Sequence, residues 1–209
     1  MDSLLRVARD QMNASRAGEE PGHRLRHGLR TADIATWLAH TEALAGRIDP
    51  LSLRAACLFH DLGKIRDDAG GDHAAVGAER ALSLLAGKTT PEQLDTIYQS
   101  IYWHNKRDES PSELPEEARL LQDADLIDHF GATEIWLIGY RVAARRGTAG
   151  DFLREYREAA SWRRYALCSL NYPSSRREMR RRMCIGAHFF MDFSEEMGNH
   201  CAQLGGEPT

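Results

Sequence analysis

Lysine is nearly absent from the chain: only Lys64, Lys88 and Lys106 are lysines among 27 basic residues, and the rest are arginines. Guanidinium groups suit phosphate recognition, but an arginine-rich codon usage produces the same excess. The net charge of −4 argues against a general nucleic-acid binder, which needs a basic surface. Cysteine is scarce too. Cys57, Cys168, Cys184 and Cys201 stand far apart, without a Cys-x-x-Cys or a zinc-finger Cys/His spacing, so reduced thiols in a cytoplasmic protein are the expectation. No window approaches eighteen apolar residues, so no membrane span is expected. Met1 to Arg6 lack the apolar core of a signal peptide. Strand-like alternation, internal repeats and low-complexity tracts are missing as well.

What is present reads as helix almost throughout. At 42% apolar and 28% charged, the composition is that of a globular chain with a substantial core. Residues 2–17 are amphipathic through Leu4, Leu5, Ala8 and Met12. A second helix is expected over 23–45, and its row His27, Thr31, Ile34 and Leu38 sets His27 at the edge of the buried stripe. Asp49-Pro50 starts a third helix that runs to about Leu62, with Gly63 as its stop. Residues 66–72 form a polar loop, and another helix begins near Asp72. Thr90-Pro91 opens the next, in which Leu94, Ile97, Ile101 and His104 share a face. A second loop spans 108–115, and residues 116–130 are helical. Helices near 131–146, 150–169 and 174–198 follow, broken at Gly147 to Gly150 and at Asn171-Tyr172-Pro173. The fold class is all-α.

Within Leu58-Phe59-His60-Asp61-Leu62-Gly63-Lys64 an imidazole and a carboxylate end an apolar run, where each is expensive to bury unpaired. A divalent cation accounts for both, since it takes imidazole nitrogen and carboxylate oxygen together. The dipeptide alone carries little weight: nine His and fifteen Asp in 209 residues give roughly 0.65 such pairs by chance. The partners carry it. His27, His60-Asp61, His73, His104 and Asp125 all lie at the edges of apolar helix faces, and contributions from facing helices are how metal sites form in bundle cores.

The order His27 … His60-Asp61 … Asp125 resembles the signature of the HD superfamily of metal-dependent phosphohydrolases. His27-Gly28-Leu29-Arg30 with Ala35 looks like the family's first helix, Leu58 to Lys64 like its His-Asp motif ending in Gly-Lys, and Leu121 to Asp128 like its final motif. The likeness runs from about 20 to 145 and continues weakly into the tail around Tyr172-Pro173. It implies a single HD-type helical bundle with a core over about 20–145 and a helical C-terminal extension over about 146–200. It further implies one divalent cation held by His27, His60, Asp61 and Asp125, with Mn, Fe, Co, Ni or Mg the suitable metals. Asp128 is expected to be structural, and His23 is an alternative to His27 one turn away.

Asp72 to Glu79 is similar to the His-x-x-x-Gly-Ala-Glu stretch of members that hydrolyse phosphodiesters, with Tyr102-Trp103-His104 where those members place another histidine. His73 and His104 therefore either complete a second metal site bridged by Asp61 or act as phosphate-binding or acid groups. The resemblance implies hydrolysis of a phosphate ester or anhydride in a nucleotide or small phosphorylated metabolite. Asp61 would orient or deprotonate the attacking water, and Lys64, Arg30, Lys106 and Arg107 are candidate phosphate-binding groups. The alternative on the same six ligands is a di-iron oxygenase acting on a small polyol or phosphonate. Arg176, Arg177, Arg180, Arg181 and Arg182 form a basic cluster that is expected to be a solvated face, and a homodimer is possible. Specificity is expected in the loops 65–72 and 106–115.

Overall fold

The structure, a computed structural model, describes residues 2–12, 20–64, 72–109 and 113–203. The end of the first expected helix, most of the 65–72 loop and part of the 106–115 loop lie outside them. Among the described residues there are helices and no strands. They are α1 (Asp2–Met12), α2 (His23–Thr41), α3 (Pro50–Phe59), α4 (His73–Leu85), α5 (Pro91–Trp103), α6 (Glu116–Asp128), α7 (Ala132–Ala144), α8 (Ala149–Glu158), α9 (Ala160–Cys168) and α10 (Pro173–Gln203).

The helix starts follow local chemistry. Asp49 caps α3 by accepting from the Ser52 amide at 2.9 Å, with Pro50 in the first turn. Asp72 accepts from Ala74 and Ala75, and Thr90 and Gln93 form a reciprocal capping box on α5. α2 packs against α3 and α6, while α5 packs against α3, α4 and α6. The main core lies between them, and Leu38, Leu53, Leu58, Phe59, Ile97, Ile101, Leu120 and Leu121 are fully buried within it. A smaller core of Ile138, Val142 and Phe190, backed by Phe152 and Tyr156, joins α7, α8 and α10.

Two glycines bring α2, α3 and α4 close enough for their polar groups to meet. A Cβ on Gly28 would stand 3.1 Å from the carbonyl oxygens of both Cys57 and Leu58, so α2 lies directly on the α3 backbone beside His27. Gly63 does not act as the left-handed helix stop that its position predicts. α3 ends earlier, at Phe59, and Leu62–Lys64 form a 3₁₀ turn. A Cβ on Gly63 would sit 2.0 Å from the His73 carbonyl oxygen. Its bare backbone is what lets the first turn of α4 press against the His-Asp turn.

The single helix expected over 150–169 is two helices, α8 and α9, that change direction at Ala159. No proline or glycine marks the break. Arg163 stabilises it by donating from Nη1 to the Tyr156 carbonyl at 2.6 Å while its Nε bonds Glu134 of α7 at 3.0 Å. The break at Asn171-Tyr172-Pro173 is present. Asp123, fully buried in α6, accepts from the amides of Asn171 and Tyr172 at 2.9 and 3.1 Å and from the Asn171 side chain at 2.9 Å. It thereby ties α6 to the start of α10. Asp123→Ala removes the acceptor that three donors share and should cost about 3 kcal/mol. For a chain of this size that lowers Tm by roughly 10 °C, a shift that calorimetry would read directly.

Candidate metal centre

Three histidines turn the same nitrogen toward the carboxylates of Asp61 and Asp125. His60 and His104 each follow the last residue of a helix, where backbone carbonyls lack helical partners. The Nδ1–H of His60 donates to the Cys57 carbonyl at 2.8 Å, and that of His104 to the Ile101 carbonyl at 2.6 Å. A carbonyl can only accept, so the proton is on Nδ1 and the Nε2 lone pair faces inward. His27, buried in α2, does the same through a carboxylate: its Nδ1–H donates to Asp128 Oδ2 at 2.7 Å. Arg30 grips Asp128 from behind with two bonds of 2.8 Å. An outer acceptor that fixes the ring and its tautomer is the usual support of a metal-binding imidazole.

The inward atoms crowd. His27 Nε2 is 3.1 Å from His60 Nε2 and 3.1 Å from Asp125 Oδ1. His60 Nε2 is 3.5 Å from Asp61 Oδ1 and 3.6 Å from Asp125 Oδ1. Two imidazole lone pairs cannot face each other at hydrogen-bond distance unless a proton or a cation lies between them. Ligands about 2.1 Å from one divalent ion have the spacings seen here. His27, His60 and Asp61 form one triplet of potential ligand atoms within 4.8 Å of each other, and Asp61, His73 and His104 form another. Asp125 joins His27 with His129 and, separately, His60 with His104. Asp61 is thus common to two adjacent groups.

The electrostatics follow from this crowding. Burial opposes a charged His27, but its hydrogen bonds to Asp125 and Asp128 prevail and push it up to about 10, so a proton fills the gap when no cation does. Burial also works against ionised Asp61, yet His60, Lys64 and His27 hold its carboxyl well below the ordinary carboxylate range. Hydrogen bonds from His129, His27 and His60 do the same for Asp125 against its burial. Burial and the neighbouring His60 push His104 down to about 3, and burial with Lys64 lowers His73. Cys57, its thiol pushed up by burial, contributes only its carbonyl.

The remaining candidates divide by what they touch. Lys64 Nζ stands 2.6 Å from Asp61 Oδ1. Arg30 is held by Asp128. Lys106 pairs with Asp72 and lies 3.3 Å over the Tyr102 ring, and Arg107 donates to the Gln122 carbonyl. His23 stacks on His27 with centroids 5.9 Å apart and belongs to none of the ligand triplets found among the described residues. Two residues at the site went unnoticed in the sequence. Arg24 is buried with Nη1 3.9 Å from Asp61 Oδ2, and His129 Nε2 is 3.4 Å from Asp125 Oδ1. Both stand one helical turn from a candidate ligand, Arg24 before His27 and His129 after Asp125, and that spacing was the available signal.

A helical bundle that gathers imidazole nitrogens and carboxylates in this way presents helix-borne donors that could hold a divalent metal. The chain belongs to the HD-domain family, whose model matches residues 24–129, just over half of its length. Among solved structures it is similar to an HD-superfamily hydrolase from Bacillus thuringiensis, with a TM-score of 0.68, 18% identity and coverage of 94% of this chain and 96% of that one. Bacillus subtilis YpgQ in complex with ADP is similar with a TM-score of 0.66 and 17% identity, covering 93% and 96%. A predicted HD superfamily hydrolase from an uncultured Thermotogales bacterium gives 0.63 and 21%, covering 94% and 92%. At these identities the likeness establishes the fold. No curated protein matches the chain by sequence.

The lowered His104 has a consequence for the metal-free protein. Its folded pKa lies below the unfolded value of about 6.5, so its contribution to stability is fully present above that pH and is lost as pH falls toward about 3. Denaturant unfolding of metal-stripped protein should show stability declining by up to about 1.4 kcal/mol per pH unit below pH 6.5 from this group. The slope should be shallower in His104→Leu.

Proposed function

We propose that the chain is a metal-dependent phosphohydrolase that cleaves a phosphate ester or anhydride of a nucleotide or another small phosphorylated metabolite. The observation that carries this reading is the meeting of His27 and His60 Nε2 at 3.1 Å beside the carboxylates of Asp61 and Asp125. His27, His60, Asp61 and Asp125 would hold one divalent cation, and Asp61, His73 and His104 a second. Mixed nitrogen and oxygen donors suit Mn²⁺, Fe²⁺, Co²⁺, Ni²⁺ or Mg²⁺. Such an ion supplies an activated water near neutral pH and neutralises phosphoryl oxygens as charge develops.

The protein groups do the rest. Asp61 remains a carboxylate at any physiological pH, so it can orient the attacking water by accepting a hydrogen bond from it, while its lowered pKa makes it a weak base for deprotonating that water. Lys64 is partly exposed beside Asp61 and can swing its ammonium to a phosphoryl oxygen, as a point charge does in many phosphate sites. Arg24, buried on the other side of Asp61, adds fixed positive charge there. His104 is neutral throughout the physiological range, which favours it as a metal ligand over a proton donor. Arg30, Lys106 and Arg107 are engaged by protein partners and act as supports in this reading.

A small substrate fits better than a polynucleotide. Within the arginine cluster, Arg176 donates to the Leu170 carbonyl, while Arg181 and Arg182 share Glu178. Three of its five guanidiniums are therefore spent within the fold. ADP in the YpgQ structure supports a nucleotide among the small substrates. The second triplet equally suits the di-iron oxygenase alternative, and phosphate release that persists without oxygen would exclude that chemistry.

Metal-loaded protein should release phosphate, pyrophosphate or nucleoside monophosphate from a panel of phosphorylated metabolites. Stripping with chelator should abolish this and Mn²⁺ should restore it; undiminished turnover in stripped protein would sink the reading. His60→Ala and Asp61→Ala should each lower kcat/KM by about a thousand-fold, the several kcal/mol that a Lewis acid supplies, with metal content falling in parallel. Asp128→Asn keeps the ligands but loosens His27, and should weaken metal affinity by about 10- to 100-fold in competition with a chelating dye.

A further inference from the structure

A cavity begins where the ligand cluster ends, and the two share His129. This histidine follows the last residue of α6. One side of it faces the cluster, with its ring centroid 4.9 Å from that of His27, and its side chain is 35% exposed. It also lines a cavity of about 260 Å³ walled by Phe130, Ile138, Arg141, Glu155 and Trp162. Phe130 lies in the turn after α6 and the others come from α7, α8 and α9, and the hydrolytic chemistry uses none of them.

The walls specify what fits. Trp162 is 44% exposed, an indole that the core leaves at the edge of a concave surface. Arg141 donates to Glu155 Oε1 from Nε and Nη2, both at 2.7 Å, and Arg145 reaches Oε2 at 2.8 Å. Glu134, the other carboxylate of the lining, pairs with Arg163 at 2.8 Å, so each carboxylate at the cavity is neutralised by at least one guanidinium and the cavity does not repel an anionic ligand. Phe130 and Ile138 supply an apolar floor. The volume is below the roughly 300 Å³ at which whole-ligand pockets begin, so the space holds a ring and not an entire nucleotide.

We infer that this cavity receives the planar heteroaromatic base of a nucleotide whose phosphates lie at the His-Asp cluster, with Trp162 as its stacking surface. The inference rests on the phosphohydrolase reading for the position of the phosphates. Stacking on an indole recognises the π-face of a base and tolerates any base, so the subsite selects nucleotides over base-free phosphates without selecting strongly among them.

The test compares ADP with inorganic pyrophosphate, which has the phosphates but no base. Calorimetry on metal-loaded protein should give tighter binding for ADP. Trp162→Ala should weaken ADP by about tenfold or more, the range of one base–aromatic stack, and pyrophosphate by far less. Trp162→Phe should recover most of the ADP affinity while abolishing the quenching of tryptophan emission that ADP produces in the unmodified protein. Trp37→Ala removes an equally exposed indole on α2 and controls for a general effect of losing one. Equal losses for ADP and pyrophosphate, or none for ADP, would overturn the inference. Phosphate release from the same samples separates the two readings. ADP binding that depends on Trp162 without any turnover would remove the hydrolase and leave the subsite, whereas turnover indifferent to Trp162 would do the reverse.

Discussion

Two imidazole Nε2 atoms facing each other across 3.1 Å, with the buried carboxylate of Asp61 and the part-buried one of Asp125 beside them, make an arrangement that two neutral rings cannot hold alone. A proton relieves it at His27, and a divalent cation relieves it more fully, because the ion takes all the donors at once. Burying such groups without a shared partner costs several kcal/mol each. The surrounding structure limits that cost by giving His27, His60 and His104 each an outer acceptor and giving Asp61 two cationic neighbours. Those supports hold the donors in place by themselves, so little reorganisation would be needed for an ion to bind.

The supports come from the least demanding parts of the helices. His60 and His104 occupy C-terminal ends, where free carbonyls already need donors, so the same bond that finishes a helix also aims a ligand. Asp128 does for His27 what the carbonyls do for the other two, with Arg30 holding it from outside. Close backbone approach sets the scale of the cluster. A side chain at residue 28 or 63 would push α2 off α3, or α4 off the His-Asp turn, and the nitrogens would separate.

The C-terminal helices attach to this bundle through polar contacts as much as apolar ones. Asp123 secures the start of α10 from α6, and Glu42 at the end of α2 accepts from the Ser174 amide at 2.8 Å. Glu134 and Arg163 hold α7 against the α8–α9 corner. That corner sets Trp162 along the cavity that opens at His129. The candidate ligands thus come from α2 to α6 and the turns that follow them, and most of the neighbouring concave surface from α7 to α9.

Much of the fold was legible because helix chemistry is local: Asp49-Pro50 and Thr90-Pro91 begin helices where expected, and apolar spacing placed His27 and His104 beside the core. The spacing in Gln122 to Asp128 says that Asp123 points about 200° away from Asp125 while Asp128 returns to nearly the same side, but not which side faces the cluster. Packing decided that one carboxylate anchors α10, one meets the histidines and one orients His27. It likewise engaged Arg30, Lys106 and Arg107 with protein partners, split the helix at Ala159, and brought His129 and Trp162 to one cavity. A sequence records which residues lie on a helix face. Which nitrogen is free, which charge is already paired and which faces meet depend on contacts between positions as much as 132 residues apart, and only the folded chain makes those.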